Sequence, residues 1–406
     1  MTYIALHTPK GVIPLEPWKR MVYICLVGAF LMSVGISQFA PISPLYFHEL
    51  GVKNPEEMSL WSGLAMGITF IMSAIVAPFW GRLADRKGRK ITLLRASFGM
   101  SLCNIGLAFV QTPEQIILAR FFQGLVNGFF SGSVALLASE VPKEHTGWSL
   151  GMLTSANLAG SLIGPIIGGY IASVFGIHID FLIIGILMGI AFLSTYFFIH
   201  EDFTPAAAKE KQSLKTLYTH IPNFKTIITL YIAALIYSMC VMSLQPVMTV
   251  YIKGMVPANT ANIALISGAV FSIMGVAQTM SSSYLGHMID RIGPRRILLV
   301  SLVYVGLLTI PQAYVTNYVQ LGILRFLQGL GMGGLLPSLH TYLSSLTPKQ
   351  FSGQVFAYNQ SMISIGFFLG AVGGSTIMAS FGFTILFWVN GISFVLAALW
   401  ILLKVR

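Results

Sequence analysis

Apolar runs of about 20 residues or more, separated by short polar breaks, fill most of this chain. They fall at roughly 21–47, 58–80, 91–110, 114–139, 146–173 and 178–200, then at about 223–252, 262–284, 297–316, 319–345, 352–380 and 382–403. A helix needs about 20 apolar residues to cross the hydrocarbon core of a bilayer, so each run predicts one transmembrane helix. The pattern is six helices, a polar interval and six more. Segment 201–222, with Lys209, Lys211 and Lys215, is the longest polar stretch between runs. It predicts a linker between a first unit at 1–200 and a second at 223–406.

Two of the breaks are charged hairpins. Gly81-Arg82-Leu83-Ala84-Asp85-Arg86-Lys87-Gly88-Arg89-Lys90 lies between the second and third runs, and its frame returns 205 residues later as Gly286-His287-Met288-Ile289-Asp290-Arg291-Ile292-Gly293-Pro294-Arg295-Arg296. The same offset carries Pro41 and Tyr46 onto Pro246 and Tyr251, and Ser62-Gly63 onto Ser267-Gly268. It also carries Arg120-Phe121 and Gln123-Gly124 onto Arg325-Phe326 and Gln328-Gly329. At an offset of 206, Pro142-Lys143, Gly147 and Phe175-Gly176 match Pro348-Lys349, Gly353 and Phe381-Gly382. A duplicated six-helix unit accounts for all of these. In transporters built this way the substrate site lies near mid-membrane between the halves, and one half rocks against the other.

Composition narrows the function class. Only 9% of the 406 residues are charged and 55% are hydrophobic, with a mean hydropathy of +0.78; soluble domains carry about 25% charged residues. The net charge of +11 sits at the ends of apolar runs rather than on one face, which argues against nucleic acid as a partner. With both termini cytoplasmic, 20 of the 24 Lys and Arg residues fall on the cytoplasmic side. Only Lys53 and Lys253 fall outside, while Arg120 and Arg325 lie within spans. That asymmetry sets the expected orientation. No small-residue cleavage site follows the first run, which reads as a retained span. Cys25, Cys103 and Cys240 lie inside runs with neither metal spacing nor a disulfide framework. Nothing matches a nucleotide-binding loop or a nucleophile with its base. The expectation is a transporter rather than an enzyme, monomeric, with no cofactor and no metal.

The first hairpin resembles the loop signature of the major facilitator superfamily, G-x-L-A-D-R-x-G-R-K, over its whole length. Arg120, Gln123 and Gly124 resemble that family's fourth-helix motif. Gly151, Gly160, Gly164, Pro165, Gly168 and Gly169 resemble the fifth-helix motif of its antiporters, whereas the second half has Gly370-Ala371 in place of Gly-Pro. Trp80 to Lys90, Ser139 to Gly151 and Leu321 to Leu327 are similar to MdtG-like and PmrA-like bacterial multidrug efflux proteins of the drug–proton antiporter branch. The resemblance implies an all-α integral membrane protein with twelve transmembrane helices in two pseudo-symmetric six-helix bundles. It implies a multi-pass protein of the bacterial inner membrane whose partners are a small-molecule substrate, protons and membrane lipid. It would export amphipathic molecules or drugs by proton antiport with alternating access.

The resemblance and the placement of polar residues within the spans together give candidate sites. A conformational switch would comprise Gly81, Asp85, Arg86, Gly88 and Arg89, with Asp290 and Arg291 in the repeat; the cations alone also serve as topology signals. Arg120 is costly inside a span unless it faces a cavity or a partner. It either couples protons or contacts substrate, as the family motif implies, or it snorkels outward or ties two helices together, and Arg325 shares that choice. His340, the one histidine inside a span, suits a proton carrier by its pKa range or packs at a helix contact. Glu140, near an inner helix end, is the other protonation candidate. All thirteen acids sit in loops or at span ends, unlike many drug–proton antiporters, where a buried acid carries the proton. Two in-span arginines without such an acid keep an alternative open: an exporter of an anionic or zwitterionic metabolite such as a siderophore. Gln38, Phe39, Asn127, Asn157, Tyr237, Met242, Gln245, Met248, Asn359 and Gln360 would line an adaptable, mostly apolar pocket.

Neutralising the switch acid tests its role. Asp85→Asn is expected to shift the protein toward its inward-open state, read as longer spin-label distances between the inner ends of the halves.

Overall fold

The computed structural model describes residues 16–201, 224–257, 262–348 and 351–404. The linker expected at 201–222 lies outside these residues except for Glu201, and the side chain of Asp85 is likewise outside the description.

The described residues form twelve helical spans. In order they are α1 (Pro17–Ser37, continued by Phe39–Glu49), α2 (Pro55–Lys87), α3 (Arg89–Leu107), α4 (Pro113–Val126, then Phe129–Glu140), α5 (Lys143–Phe175) and α6 (Ile177–Phe198). The second set is α7 (Phe224–Leu244, continued by Met248–Lys253), α8 (Ile263–Ile292), α9 (Pro294–Thr309, with a 3-10 turn at Ile310–Tyr314) and α10 (Tyr318–Leu346). Residues 352–404 hold two helices, α11 and α12, which meet at Gly382 with φ +82°. Ten of these helical stretches are long and apolar enough to cross a membrane on composition alone, one of them holding both α11 and α12. The remaining span, α3, begins in the charged hairpin, yet it exposes Phe98 and Leu102 as a lipid-facing helix would.

The duplication is visible in backbone geometry. Gly88 and Gly293 have φ +95° and +91°, and Gly176 and Gly382 have φ +91° and +82°. These are the corners α2–α3, α8–α9, α5–α6 and α11–α12, and a residue without Cβ makes each turn without strain. Local chemistry repeats as well. At the start of α4 the side chain of Gln115 accepts from the Gln111 amide at 2.7 Å, and at the start of α10 Gln320 accepts from the Thr316 amide at 3.0 Å.

Contacts between the first six helices and the last six concentrate at the end of the bundle opposite the charged hairpins, here the far side. A Cβ at Gly63 of α2 would lie 2.5 Å from the Ala371 carbonyl of α11, and one at Gly169 of α5 would lie 2.5 Å from the Ala264 carbonyl of α8. Thr249 of α7 donates to the Pro41 carbonyl of α1 at 2.9 Å. Toward the middle the series reaches Phe70 against Phe367, with ring centroids 5.0 Å apart, and Leu162 against Gly275. Nearer the hairpins, Cβ atoms built at Gly81, Gly147, Gly151 and Gly286 meet nothing within 4 Å. The close approaches between the halves thus lie on the far side and toward the middle, as in a bundle closed at its far end.

One glycine tests the seal directly. A Cβ at Gly268 would sit 2.0 Å from the Pro165 carbonyl, and backbone cannot swing away as a side chain can. Gly268→Ala should cost the sealed state about 1–3 kcal/mol and lengthen spin-label distances between the far-side ends of α5 and α8.

Candidate functional site

The fifth-helix motif packs on two sides at once. Cβ atoms at Gly160 and Gly164 would meet the Phe30 carbonyl at 2.4 Å and Ser37 Oγ at 2.2 Å, and one at Gly168 would meet the Gln38 side chain, all on α1. Gly169 and the Pro165 carbonyl face α8 instead. The stripe thus holds α5 to its own bundle along one edge and to the other bundle along the next. Small residues allow this because helices in lipid associate by close packing rather than by a hydrophobic drive. Gly151 is exposed at the hairpin side and packs on nothing.

Arg120 is 2% exposed and does not reach an open surface. Its Nη1 donates to Gln123 Oε1 one helical turn on, its Nε lies 3.4 Å from the Ala65 carbonyl of α2, and its guanidinium stacks 4.0 Å from the Phe39 ring of α1. Gly124 completes the joint, because its Cβ would lie 2.6 Å from the Thr69 carbonyl. The motif therefore binds α4 to α2 and α1 around a cation held by neutral groups.

The repeat builds the same joint with a different outcome. Gly329 packs on the Met274 carbonyl, the equivalent of Thr69, with a Cβ distance of 2.3 Å. Gln328 Oε1, however, accepts from Gln312 at 2.9 Å while its Nε2 donates to Thr309 at 2.8 Å. The glutamine is thereby turned away from Arg325. That arginine, 3% exposed, keeps a 3.5 Å contact to the Met274 sulfur, and its Nε and Nη2 have no hydrogen-bond partner.

The other coupling candidates lie elsewhere. The His340 ring faces Phe356 of α11 edge-on at 5.7 Å, between α10 and α11. Glu140 ends α4 on the hairpin side, half-buried. Of the substrate candidates, Gln360 is exposed and Asn127, Asn157 and Gln245 are half-buried, whereas Gln38, Phe39, Tyr237, Met242, Met248 and Asn359 are buried among helices. Phe39 lies under Arg120, and Tyr237 lines a small apolar gap with Leu298, Leu302 and Leu339.

Among the switch residues, Arg86, Asp290 and Arg291 are exposed and Gly88 is buried at the corner. The amides of Arg89 and Lys90 both donate to the Glu201 carboxylate, at 2.8 and 2.7 Å. Glu201, just past the end of α6, therefore caps α3 on the hairpin side, where its charge meets the positive helix terminus. Its position just after the last span of the first bundle reads as linker, so sequence gives no sign of this contact. Asp180 is the second departure. It is an acid at a span end, yet it is 0% exposed and neither carboxyl oxygen has a partner. Its apolar setting, Ile177-His178-Ile179-Asp180-Phe181, was the available signal. Next to it, His178 Nδ1 lies 2.9 Å from the Ala108 carbonyl and 3.3 Å from the Tyr46 hydroxyl.

Comparison with known proteins places this geometry. The family model described as Major Facilitator Superfamily matches residues 25–275 and 230–406. A "Multidrug resistance protein MdtG" of Klebsiella pneumoniae (strain 342) is 40% identical over 373 residues, covering 92% of this chain and 90% of the relative. The protein of the same name from Salmonella dublin is 40% identical over 92% of both chains. Among solved structures, the nucleoside transporter NupG superposes with a TM-score of 0.74 at 15% identity over 95% of this chain and all 100% of its own. A human organic anion transporter (TETRAN) superposes with a TM-score of 0.69 at 13% identity, over 95% of this chain and 99% of its own. At those identities the two structures speak to the fold alone.

The joint around Arg120 carries a thermodynamic signature. Gln123→Leu removes the acceptor of a buried cation and should cost about 2–3 kcal/mol. Arg120→Leu with Gln123→Leu removes the charge as well and should recover part of that loss. Thermal unfolding of the purified variants in detergent gives the order.

Proposed function

We propose, from the premise that this chain belongs to the major facilitator superfamily, that it exports amphipathic drugs in exchange for protons by alternating access. Relatives named multidrug resistance proteins, 40% identical across nine-tenths of the chain, carry the drug-export reading. The closed far end supplies one of the two conformations that alternating access requires. We assign the hairpin side and both termini to the cytoplasm of a bacterial inner membrane, on the distribution of Lys and Arg. The structure is then the inward-open state of a monomer composed of two bundles.

In this reading the glycines of α5 form the pivot. They seat it against α1 permanently and against α8 only while the far side is closed, so the second contact must break and remake in each cycle. The charged hairpin works at the other end of the same motion. Arg120 takes the coupling role ahead of His340 and Glu140, because it joins three helices of the first bundle around a buried cation held by neutral groups. The anionic-cargo alternative loses its support, since Arg120 and Arg325 are both sealed inside helix contacts.

Inverted membrane vesicles containing the protein should accumulate a cationic dye such as ethidium when their interior is acidified, and collapse of the pH gradient should abolish accumulation. Full-rate accumulation after collapse would overturn proton coupling. No accumulation of ethidium or of any tested amphipathic drug would overturn the export reading.

A further inference from the structure

The fourth span is predicted as one helix, yet α4 is broken. Helical geometry ends at Val126, Asn127 is extended (φ −59°, ψ 157°), Gly128 has φ +131°, and the helix restarts at Phe129. The Asn127 side chain accepts from the Gly128 amide at 2.7 Å. The break frees carbonyls that a continuous helix would bond to the amides four residues on, and inside a membrane a freed carbonyl must find a partner in the protein.

Two of those carbonyls are met by side chains from other helices. Trp80 of α2 donates its indole N–H to Leu125 O at 2.7 Å, and Arg95 of α3 donates Nη2 to Asn127 O at 3.1 Å. The two donors hold each other, with the guanidinium carbon 3.6 Å from the Trp80 ring centroid. Their places in the chain carry the argument further. Trp80 immediately precedes the charged hairpin and Arg95 follows it by five residues, so the clamp closes the base of the hairpin onto the break. The segment beyond the break carries Arg120 and Gln123.

The second half of the molecule supplies a control. At the offset of 205, Trp80 becomes Leu285, Arg95 becomes Val300 and Gly128 becomes Gly333. Neither Leu285 nor Val300 has a side-chain donor, and α10 runs unbroken from Tyr318 to Leu346 through Gly333. Glycine at the break position is therefore not sufficient. The break occurs in the half that supplies both donors.

We propose that Trp80 and Arg95 are positioning residues that hold α4 broken while the hairpin side is open, so that the hairpin and the Arg120 segment change conformation together. When the hairpin side closes, the clamp releases and the two carbonyls return to the helix. The inference rests on the alternating-access reading above but not on the identity of the cargo.

Spin-label distances test it on the full chain in liposomes, with Cys25, Cys103 and Cys240 replaced by Ala. One pair, Leu118→Cys with Ala138→Cys, spans the break; the other, Met152→Cys with Met280→Cys, spans the mouth between halves. All four positions are exposed. Trp80→Phe keeps the ring and loses the N–H, and Arg95→Gln loses the charge. Each should lengthen the first distance and shorten the second, changing the ratio of the two states by about tenfold. Arg95→Lys, which keeps a cation over the ring, should restore most of the wild-type distribution. The combined Trp80→Phe, Arg95→Gln variant should shift little beyond either single change, because the two donors form one clamp.

Both distances unchanged in folded Trp80→Phe and Arg95→Gln protein would overturn the proposal. So would a change across the break with none at the mouth, which would make the clamp a local brace. These distances are read without cargo, so a failure of dye transport alone would count against the function and leave the clamp standing.

Discussion

A carbonyl or amide without a partner inside a bilayer has no water to turn to, and the cost is several kcal/mol for each. That constraint makes every span a helix, and it governs each departure from one. The corners at Gly88, Gly176, Gly293 and Gly382 are abrupt, so few groups are freed. The exposed start of α3 receives a carboxylate from Glu201 across 112 residues of chain. The break in α4 is met by an indole and a guanidinium from its two neighbours. Each irregularity is thus tied to another element, and through these ties the signature hairpin reaches both α6 and α4.

Once backbone groups are satisfied, cohesion rests on how closely helices can approach. The glycine contacts place backbone against backbone at far-side positions of α2, α5, α8 and α11. Among the described residues these close approaches between the halves fall toward one side of the bundle, which closes that end with rigid helices. A single added methyl at such a point meets backbone, so the packing favours discrete arrangements over continuous ones.

The repeat shows how one ancestral joint takes two forms. Arginine, glutamine and glycine occupy equivalent positions in α4 and α10, and both glycines make the same close approach. In the first half the glutamine serves the arginine. In the second, Gln312 and Thr309 capture it and Arg325 is left with a thioether. Gln312 has no glutamine counterpart in the first half, where Leu107 stands 205 residues earlier. The function of a duplicated motif therefore depends on residues outside it.

Sequence alone determined the twelve spans, the duplication, the charged hairpins and the family, because each is written in local composition or in a fixed offset. The glycine spacing on α5 was legible too, although not which neighbour each glycine would touch. Tertiary structure decided the rest. Asp180 reads as a helix-end acid and proves buried, and Glu201 reads as linker and proves a helix cap. The break at Asn127–Gly128 lies inside an uninterrupted apolar run, and Gly333 shows that the local residues do not dictate it. For the Glu201 cap and the α4 break the physical reason is the same: hydropathy records whether a residue tolerates lipid, while a hydrogen-bond partner from about 30 to 110 residues away leaves no mark on the local pattern.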